Sequence, residues 1–397
     1  MKIINTAAGV LRARFLGHPF YVRFHLTHRC NYRCRMCGLR ELADQKRELE
    51  MPQIEAVARK LAELGARHAV ITGGEPFLRS DLPDVVRAFA RRGFSVRVQT
   101  NGGPQVTREQ LEACRDAGLR DVSVSIDTMD GDLQDSICGV RGAVGNALRT
   151  LRLAADILPR GISQANIVAS SFNFEELPAL VRRFGGMGLY TYITPVMVGA
   201  DETDGCQDLL FRSEDLDFRL EGIPSELRDR VIDELIDLRR GGYRLTNSTH
   251  FLEDFRQYLE TGRCDWTCEA GTLCLDVHPD GSVCICKEKP PVGSILDDDF
   301  VDFYRSTGFR ELAETVSESC SGCFYGEYRE PQYAVRDLSV FREWVGGWFR
   351  TYRRGMRLRR NGSGQNPIEV GEAGALVFRD RVEDPHGDRP AIDSYRP

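Results

Sequence analysis

Cys30, Cys34 and Cys37 stand in the run Leu-Thr-His-Arg-Cys-Asn-Tyr-Arg-Cys-Arg-Met-Cys-Gly, a C-x3-C-x2-C spacing. Three thiolates on one short loop can hold three corners of a cubic [4Fe–4S] cluster and leave the fourth iron without a protein ligand. An iron with an open position can bind a small chelating molecule, so such a cluster is a reagent as well as an electron carrier. A second set of thiols comes late in the chain. Cys268 and Cys286 flank a hairpin signal, Pro279-Asp280-Gly281, and Cys320 and Cys323 form a C-x2-C pair. Two ligands from the ends of a hairpin and two from a knuckle can fill a tetrahedral metal or all four corners of a cubane. Taken by themselves the four also fit a zinc ribbon.

Thirteen cysteines in 397 residues are too many for an ordinary cytosolic enzyme, and a disulfide framework suits a small secreted chain, which this is not. Metal or cluster ligation in a reducing, cytoplasmic compartment accounts for them better. The first twenty residues contain Arg12 and Arg14 but no apolar core with a small-residue cleavage site, which argues against secretion. No apolar stretch approaches the roughly 18–20 residues of a membrane span. A net charge of −6 gives no general attraction to nucleic acid.

The elements that must position these thiols are legible as an alternation. Short β-rich runs at 21–27, 68–72, 95–100, 121–126, 165–170 and 190–196 are separated by amphipathic segments such as 51–64, 82–91, 108–117 and 146–157. That pattern predicts βα units and an α/β fold with a parallel sheet. Chemistry in such folds gathers at the carboxyl ends of the strands. The second strand is followed there by Thr72-Gly73-Gly74-Glu75-Pro76, whose glycines allow close approach of the backbone to a ligand and whose Glu can accept from a cationic amine. Ser123, Ser125 and Asp127 share one side of the fourth strand. Ser170, Ser171 and Asn173 follow the fifth, and Thr194-Pro195 ends the sixth. Helices are expected near 225–239 and 250–259, and short strands at 273–278 and 282–286 around the Pro-Asp-Gly turn.

The cysteine spacing, with Gly-Gly-Glu-Pro one βα unit later, resembles the radical S-adenosylmethionine (radical SAM) superfamily from the cysteine loop to about residue 330. The resemblance implies a partial (β/α)6, TIM-like barrel over 21–200. In that family the open iron holds the amino and carboxylate groups of SAM, whose cleavage yields a 5′-deoxyadenosyl radical. It further implies that Gly73, Gly74 and Glu75 hold the methionine amino group and that Met36 lies against the adenine. Asn101 falls in a family-like Gln-Thr-Asn-Gly run, Ser125 and then Asp127 are candidates for the ribose, and Arg141 is a candidate near the SAM carboxylate. The late cysteines resemble the "twitch" module, a shortened SPASM domain with one auxiliary [4Fe–4S] cluster on Cys268, Cys286, Cys320 and Cys323, because no cysteine follows Cys323. The expected organisation is an extension (1–20), the barrel, a helical connector (201–262), the auxiliary module (263–330), a basic amphipathic helix (331–360) and a polar tail (361–397).

Such a protein is expected to oxidise or otherwise remodel a small molecule, a sugar, cyclitol or natural-product precursor, with an external one-electron donor of the flavodoxin or ferredoxin type. The alternatives are maturation of a ribosomally made peptide and a cluster- or zinc-binding scaffold without SAM chemistry. About twenty residues precede the first strand, too few for a leader-recognition domain. Cys138, Cys264, Cys274 and Cys284 are either buried apolar residues or hydrogen-atom donors. No general base is assigned among His250, Glu253, Asp265, Tyr192 and His278. Phe341, Trp344, Val345, Trp348, Phe349 and Tyr352 make a helical stripe, followed by a run of arginines. It either packs on the barrel or contacts an anionic membrane surface.

Overall fold

The computed structural model describes residues 2–39, 47–158, 163–198, 215–262, 266–320, 322–346, 368–370 and 376–378. A helix, α1 (Lys2–Leu16), precedes β1 (Tyr21–Thr27). Then follow α2 (Met51–Glu63), β2 (His68–Gly73), α3 (Leu82–Ala90), β3 (Ser95–Thr100), α4 (Arg108–Ala117) and β4 (Leu119–Ser125). Two helices, α5 (Gly131–Cys138) and α6 (Ala143–Ile157), lead to β5 (Gln164–Ala169), α7 (Leu177–Gly186) and β6 (Tyr190–Pro195). These six strands are parallel and lie side by side in chain order. The partial (β/α)6 barrel is therefore present, with strand limits within two residues of those expected.

Alternation along each strand decides what each face does. Val22, Phe24 and Leu26 on β1, Ile71 on β2, Val96 and Val98 on β3, and Ile167 on β5 point into the helix layer, and none is more than 1% exposed. Burying each such side chain stabilises by about 1.5–3 kcal/mol. The opposite face is polar. Arg23 and His25 on β1, Arg97 and Gln99 on β3, Ser123 and Ser125 on β4, Asn166 on β5 and Tyr192 on β6 all face one central cavity. A closed TIM barrel fills this space with branched apolar residues; here the sequence fills it with hydrogen-bonding groups.

After β6 come α8 (Ser225–Arg240) and α9 (Thr249–Thr261), then β7 (Cys274–Val277), β8 (Ser282–Cys284) and β9 (Pro291–Ser294). The hairpin expected as part of a following module instead continues the barrel sheet. β7 pairs in parallel with β1, and β8 and β9 add antiparallel strands beyond it. The register places Arg23 opposite Asp276. Arg23 Nε lies 2.7 Å from Asp276 Oδ1, and Asp276 is wholly buried. A slip of one residue would turn this carboxylate into the apolar layer, so the buried ion pair specifies where β7 docks.

Three helices, α10 (Phe300–Arg305), α11 (Thr307–Glu318) and α12 (Gly326–Arg336), complete the C-terminal part. Arg14 of α1 donates to the Val335 and Arg336 carbonyls at the end of α12, tying the first helix to the C-terminal part. Residues 338–346 are helical, and Phe341 and Trp344 pack on the core and wall the cavity. The described part of the aromatic stripe thus packs on the barrel; Trp348, Phe349, Tyr352 and the arginine run lie outside the described residues. Among the described residues no helix is long and apolar enough to cross a membrane.

Candidate active site

The cysteine loop is gripped from two sides. Arg33 and Arg35, which flank Cys34, donate their backbone N–H groups to the carbonyls of Cys138 (3.0 Å) and Ile137 (2.9 Å) at the end of α5. Gly139 ends that helix at φ +66°, and a Cβ there would lie 2.7 Å from the Arg33 carbonyl oxygen. On the other side, Gly74 N–H donates to Thr27 O (2.7 Å) and Glu75 N–H to Arg29 O (2.8 Å). A Cβ on Gly73 would stand 2.1 Å from Thr27 O, and one on Gly74 2.1 Å from Arg29 O. The two glycines line the cavity, but their close approach is to the cysteine loop as well as to the space a ligand would fill.

Glu75 is engaged within the fold. Its side chain is wholly buried and is not part of the cavity wall. One carboxylate oxygen accepts from Phe77 N–H (2.9 Å), the other from Asn101 N–H (2.8 Å), and the Thr100 hydroxyl lies 2.9 Å from both. Burial lifts its pKa to about 7 even though these donors work the other way. Glu75 therefore ties the end of β2 to the end of β3. Asn101, held in this way, points its Nδ2 at Cys30 Sγ (3.7 Å) and Asn31 Oδ1 (2.9 Å).

Met36, Asn101, Ser125 and Asp127 line the cavity, as do Ser123, Thr194 and Pro195. Asp127 is buried; burial raises its pKa to about 6, while Val168 N–H (2.9 Å) and Gln134 Nε2 (3.4 Å) donate to it and act in the opposite direction. Arg141 is exposed and is not among the residues of the cavity wall; it stands on the turn between α5 and α6. Asn173 is a loop clamp, its Nδ2 donating to the carbonyls of Asp127 (2.8 Å) and Val168 (2.9 Å). His250 and Glu253 are exposed, and Asp265 and Cys264 lie outside the described residues.

The cavity has a volume of about 760 Å3. Cys30, Cys34 and Cys37 wall its upper end, and a charged cluster walls the side beneath β7. Arg23 Nη2 donates to Asp276 Oδ2 (2.8 Å) and to the Tyr328 hydroxyl (2.6 Å), while its Nη1 donates to Glu327 Oε1 (2.6 Å). Lys287 Nζ reaches the same Glu327 oxygen at 2.5 Å and sits 3.4 Å from the centre of the Tyr325 ring. Burial alone would raise the Asp276 pKa, but Arg23 and His25 outweigh it and hold the carboxyl well below the ordinary range. His25 Nε2 is 3.3 Å from Asp276 Oδ1. Burial lowers its pKa, although the contact with Asp276 opposes this. His278, wholly buried, stacks on His25 at 5.2 Å and meets His28 edge-on at 5.6 Å. Sequence reasoning missed Arg23, His25, Lys287 and Tyr325. The alternation of polar residues on β1 was the available signal for the first two.

Cys268, Cys286, Cys320 and Cys323 come together from the approach to β7, the end of β8 and the turn before α12, close enough for each thiol's charge to act on others of the set. Burial, and then the neighbouring thiols, push Cys268 up to about 11 and Cys323 well above its ordinary value. A protein that clusters buried thiols against this mutual cost suits a cation that takes them as thiolates. The local backbone fits the same purpose. Cys268 Sγ accepts from Ala270 N–H (3.4 Å), Cys286 Sγ from Glu288 N–H (3.5 Å), and Cys323 accepts from Tyr325 N–H. Cys30 repeats this turn with Tyr32 N–H at 3.4 Å. Such bonds stabilise thiolate sulfur and tune a cluster. Among the described residues no three His, Cys, Asp or Glu side chains form a tight group of the kind that grips a single ion. Cys274 and Cys284 are buried, the former with its sulfur 3.7 Å from Glu327 O.

Residues 24–184 match the family described as the radical SAM superfamily. This segment is a radical SAM domain. The chain is 32% identical over 173 residues to a GTP 3′,8-cyclase of Marinobacter nauticus, a match covering 43% of this chain and 52% of that protein. A probable GTP 3′,8-cyclase of Archaeoglobus fulgidus is 31% identical over 160 residues, 40% of this chain and 53% of that protein. The chain thus spans about half the length of the curated relatives it matches. Streptococcus suis SuiB bound to S-adenosylmethionine superposes with a TM-score of 0.58 at 15% identity, over 81% of this chain and 76% of that one. At that identity the likeness is one of fold.

Proposed function

We propose that this protein is a radical SAM enzyme that oxidises or otherwise remodels a hydroxyl-rich small molecule held in the barrel cavity. Cys30, Cys34 and Cys37 would hold the SAM-binding [4Fe–4S] cluster, and Cys268, Cys286, Cys320 and Cys323 one auxiliary [4Fe–4S] cluster. When bound, the first cluster with SAM supplies a hydrogen-abstracting 5′-deoxyadenosyl radical, and the second supplies a one-electron acceptor. The observation that carries the reading is one cavity whose wall holds Cys30, Cys34 and Cys37 together with hydrogen-bonding side chains from β1, β3, β4, β5 and β6. Cys30, Cys34 and Cys37 wall one end, and Lys287 and Tyr325, neighbours in sequence of Cys286 and Cys323, wall its side.

The chain's own residues supply orientation and proton handling. Gln99, Ser123, Asn166 and Tyr192 present donors and acceptors to a polar ligand. Arg23, Arg97, Arg239 and Lys287 are each matched to a carboxylate already, Asp276, Asp121, Glu343 and Glu327 respectively, which favours an uncharged ligand over a polyanion. His25, whose pKa burial lowers and whose Nε2 lies 3.3 Å from Asp276 Oδ1, is the wall residue suited to accept a proton released from a substrate hydroxyl. An external low-potential electron donor completes the scheme.

A second reading, with GTP as substrate, is supported by the similarity of the chain to GTP 3′,8-cyclases. The test serves both. Anaerobic reconstitution should give about eight iron and eight sulfide per chain. Replacing Cys30, Cys34 and Cys37 with Ala should leave about four of each and abolish reductive formation of 5′-deoxyadenosine. Cyclitols and sugars should raise 5′-deoxyadenosine formation above the substrate-free rate. Stimulation by GTP alone would replace the leading substrate class by the second, and zinc at Cys268 would overturn the auxiliary cluster.

A further inference from the structure

Glu330 lies on α12, beyond the segment that matches the radical SAM family, and it stands in the cavity wall while only 4% exposed. Its Oε1 accepts from Ser248 N–H at 2.6 Å, at the start of α9. Its Oε2 is buried and has no hydrogen-bond partner. The other described carboxylates of the wall are engaged: Asp121 by Arg97, Asp127 by Val168 N–H and Gln134, and Glu327 by Arg23 and Lys287. Arg239 acts on the Glu330 charge, but its guanidinium is bonded to Glu343 Oε1 (2.8 Å) and to the Leu245 carbonyl (2.7 Å). Burial raises the Glu330 pKa to about 7 against the pull of Ser248 and Arg239. An ionised carboxylate so placed is costly until a donor of opposite charge joins it.

The wall around it is aromatic. α12 passes β6 so closely at Gly326, one turn before Glu330, that a Cβ there would lie 2.2 Å from the Tyr192 hydroxyl. Tyr192 in turn feels the Glu330 charge. Glu343, whose charge also acts on Glu330, precedes Trp344, and Phe341 and Trp344 belong to the same wall. A hydroxyl could bond the open oxygen, but only a cation answers both the carboxylate and the rings beside it. With Arg23, Arg97, Arg239 and Lys287 each matched, the charge that the wall leaves over is negative.

We infer that Glu330 is a specificity-determining residue that binds a protonated amine of the substrate, so that the hydroxyl-rich molecule held in the cavity is an amino compound. This rests on the reading that the barrel cavity is the substrate site. The experiment is equilibrium binding to the full chain, anaerobically reconstituted, with SAM but without reductant, so that no turnover intervenes. The probes are pairs that differ by amine for hydroxyl: glucosamine with glucose, and ethanolamine with ethylene glycol. In at least one pair wild type should hold the amine about tenfold tighter, the worth of one charge-assisted bond. Glu330→Gln keeps a carbonyl oxygen for Ser248 N–H and removes the charge. It should bring that ratio to within about twofold by weakening the amine alone. If Glu330→Gln does not fold, Trp344→Leu carries the comparison: it leaves the Ser248 bond intact and should weaken the amine about threefold with its hydroxyl partner unchanged. No amine preference in either pair, a preference that survives Glu330→Gln, equal loss of both members of a pair, or an unmoved ratio in Trp344→Leu overturns the inference. An amine preference that depends on Glu330, in a wild-type protein that forms no 5′-deoxyadenosine once reductant is added, upholds the amine site and overturns the functional reading.

Discussion

Gly74→Ala separates two explanations of the Gly-Gly run after β2. An added methyl would stand 2.1 Å from Arg29 O and 2.6 Å from His28 O, both backbone atoms that cannot swing away. To reach an ordinary contact the two loops must part by about 1 Å or more, a distance set by close packing. That breaks the bonds from Gly74 N–H to Thr27 O and from Glu75 N–H to Arg29 O. At about 0.5–1.5 kcal/mol each, the loss is about 1–3 kcal/mol, or an apparent Tm lower by about 1–4 °C. The displaced element carries Cys30, so the variant should also retain less iron after reconstitution, about four of the eight atoms in the limit where only the second site loads. The assays are thermal unfolding without SAM, iron content, and SAM affinity by equilibrium dialysis. Unchanged Tm and iron with a SAM Kd raised tenfold would refute the reasoning and return the glycine to a purely ligand-facing role.

Two further outcomes follow from buried charge. Burial holds His68, whose ring packs at a tilt on Phe20 with centroids 5.2 Å apart, at a pKa of about 4 against 6.5 when unfolded. The unfolded chain therefore binds the extra proton first, and stability is lost as pH falls from 6.5 toward 4, by about 2 kcal/mol at pH 5 from this group. His68→Phe should be less acid-sensitive by that amount in urea melts at pH 7.5 and 5, and an identical pH dependence would contradict it. Asp276→Asn removes the carboxylate that faces Arg23, His25 and Tyr328. Breaking a buried pair costs about 3–5 kcal/mol, so the urea midpoint should fall clearly; an unchanged midpoint would show that Glu327 alone satisfies Arg23.

The parallel βα scaffold and the C-x3-C-x2-C run were both legible in the amino-acid sequence, because both are local signals. Hydrophobic alternation fixes which strand face meets the helices, and metal-ligand spacing is written in consecutive residues. The sequence also placed Met36, Asn101, Ser125 and Asp127 near the strand ends where the cavity opens. What only the tertiary structure decided is which groups meet across long separations. Glu75 turned inward because its three donors come from Phe77, Thr100 and Asn101, brought together by the β2–β3 pairing. Arg141 turned outward with the turn that bears it. The hairpin joined the barrel sheet because Asp276, 253 residues beyond Arg23, is buried as its counter-ion, and the Cys138 and Ile137 carbonyls met the Arg33 and Arg35 N–H groups only when α5 docked on the cysteine loop. A charge or thiol on a strand reads the same whether it faces water, a lumen or another ligand; the partner that settles it is a property of the folded chain.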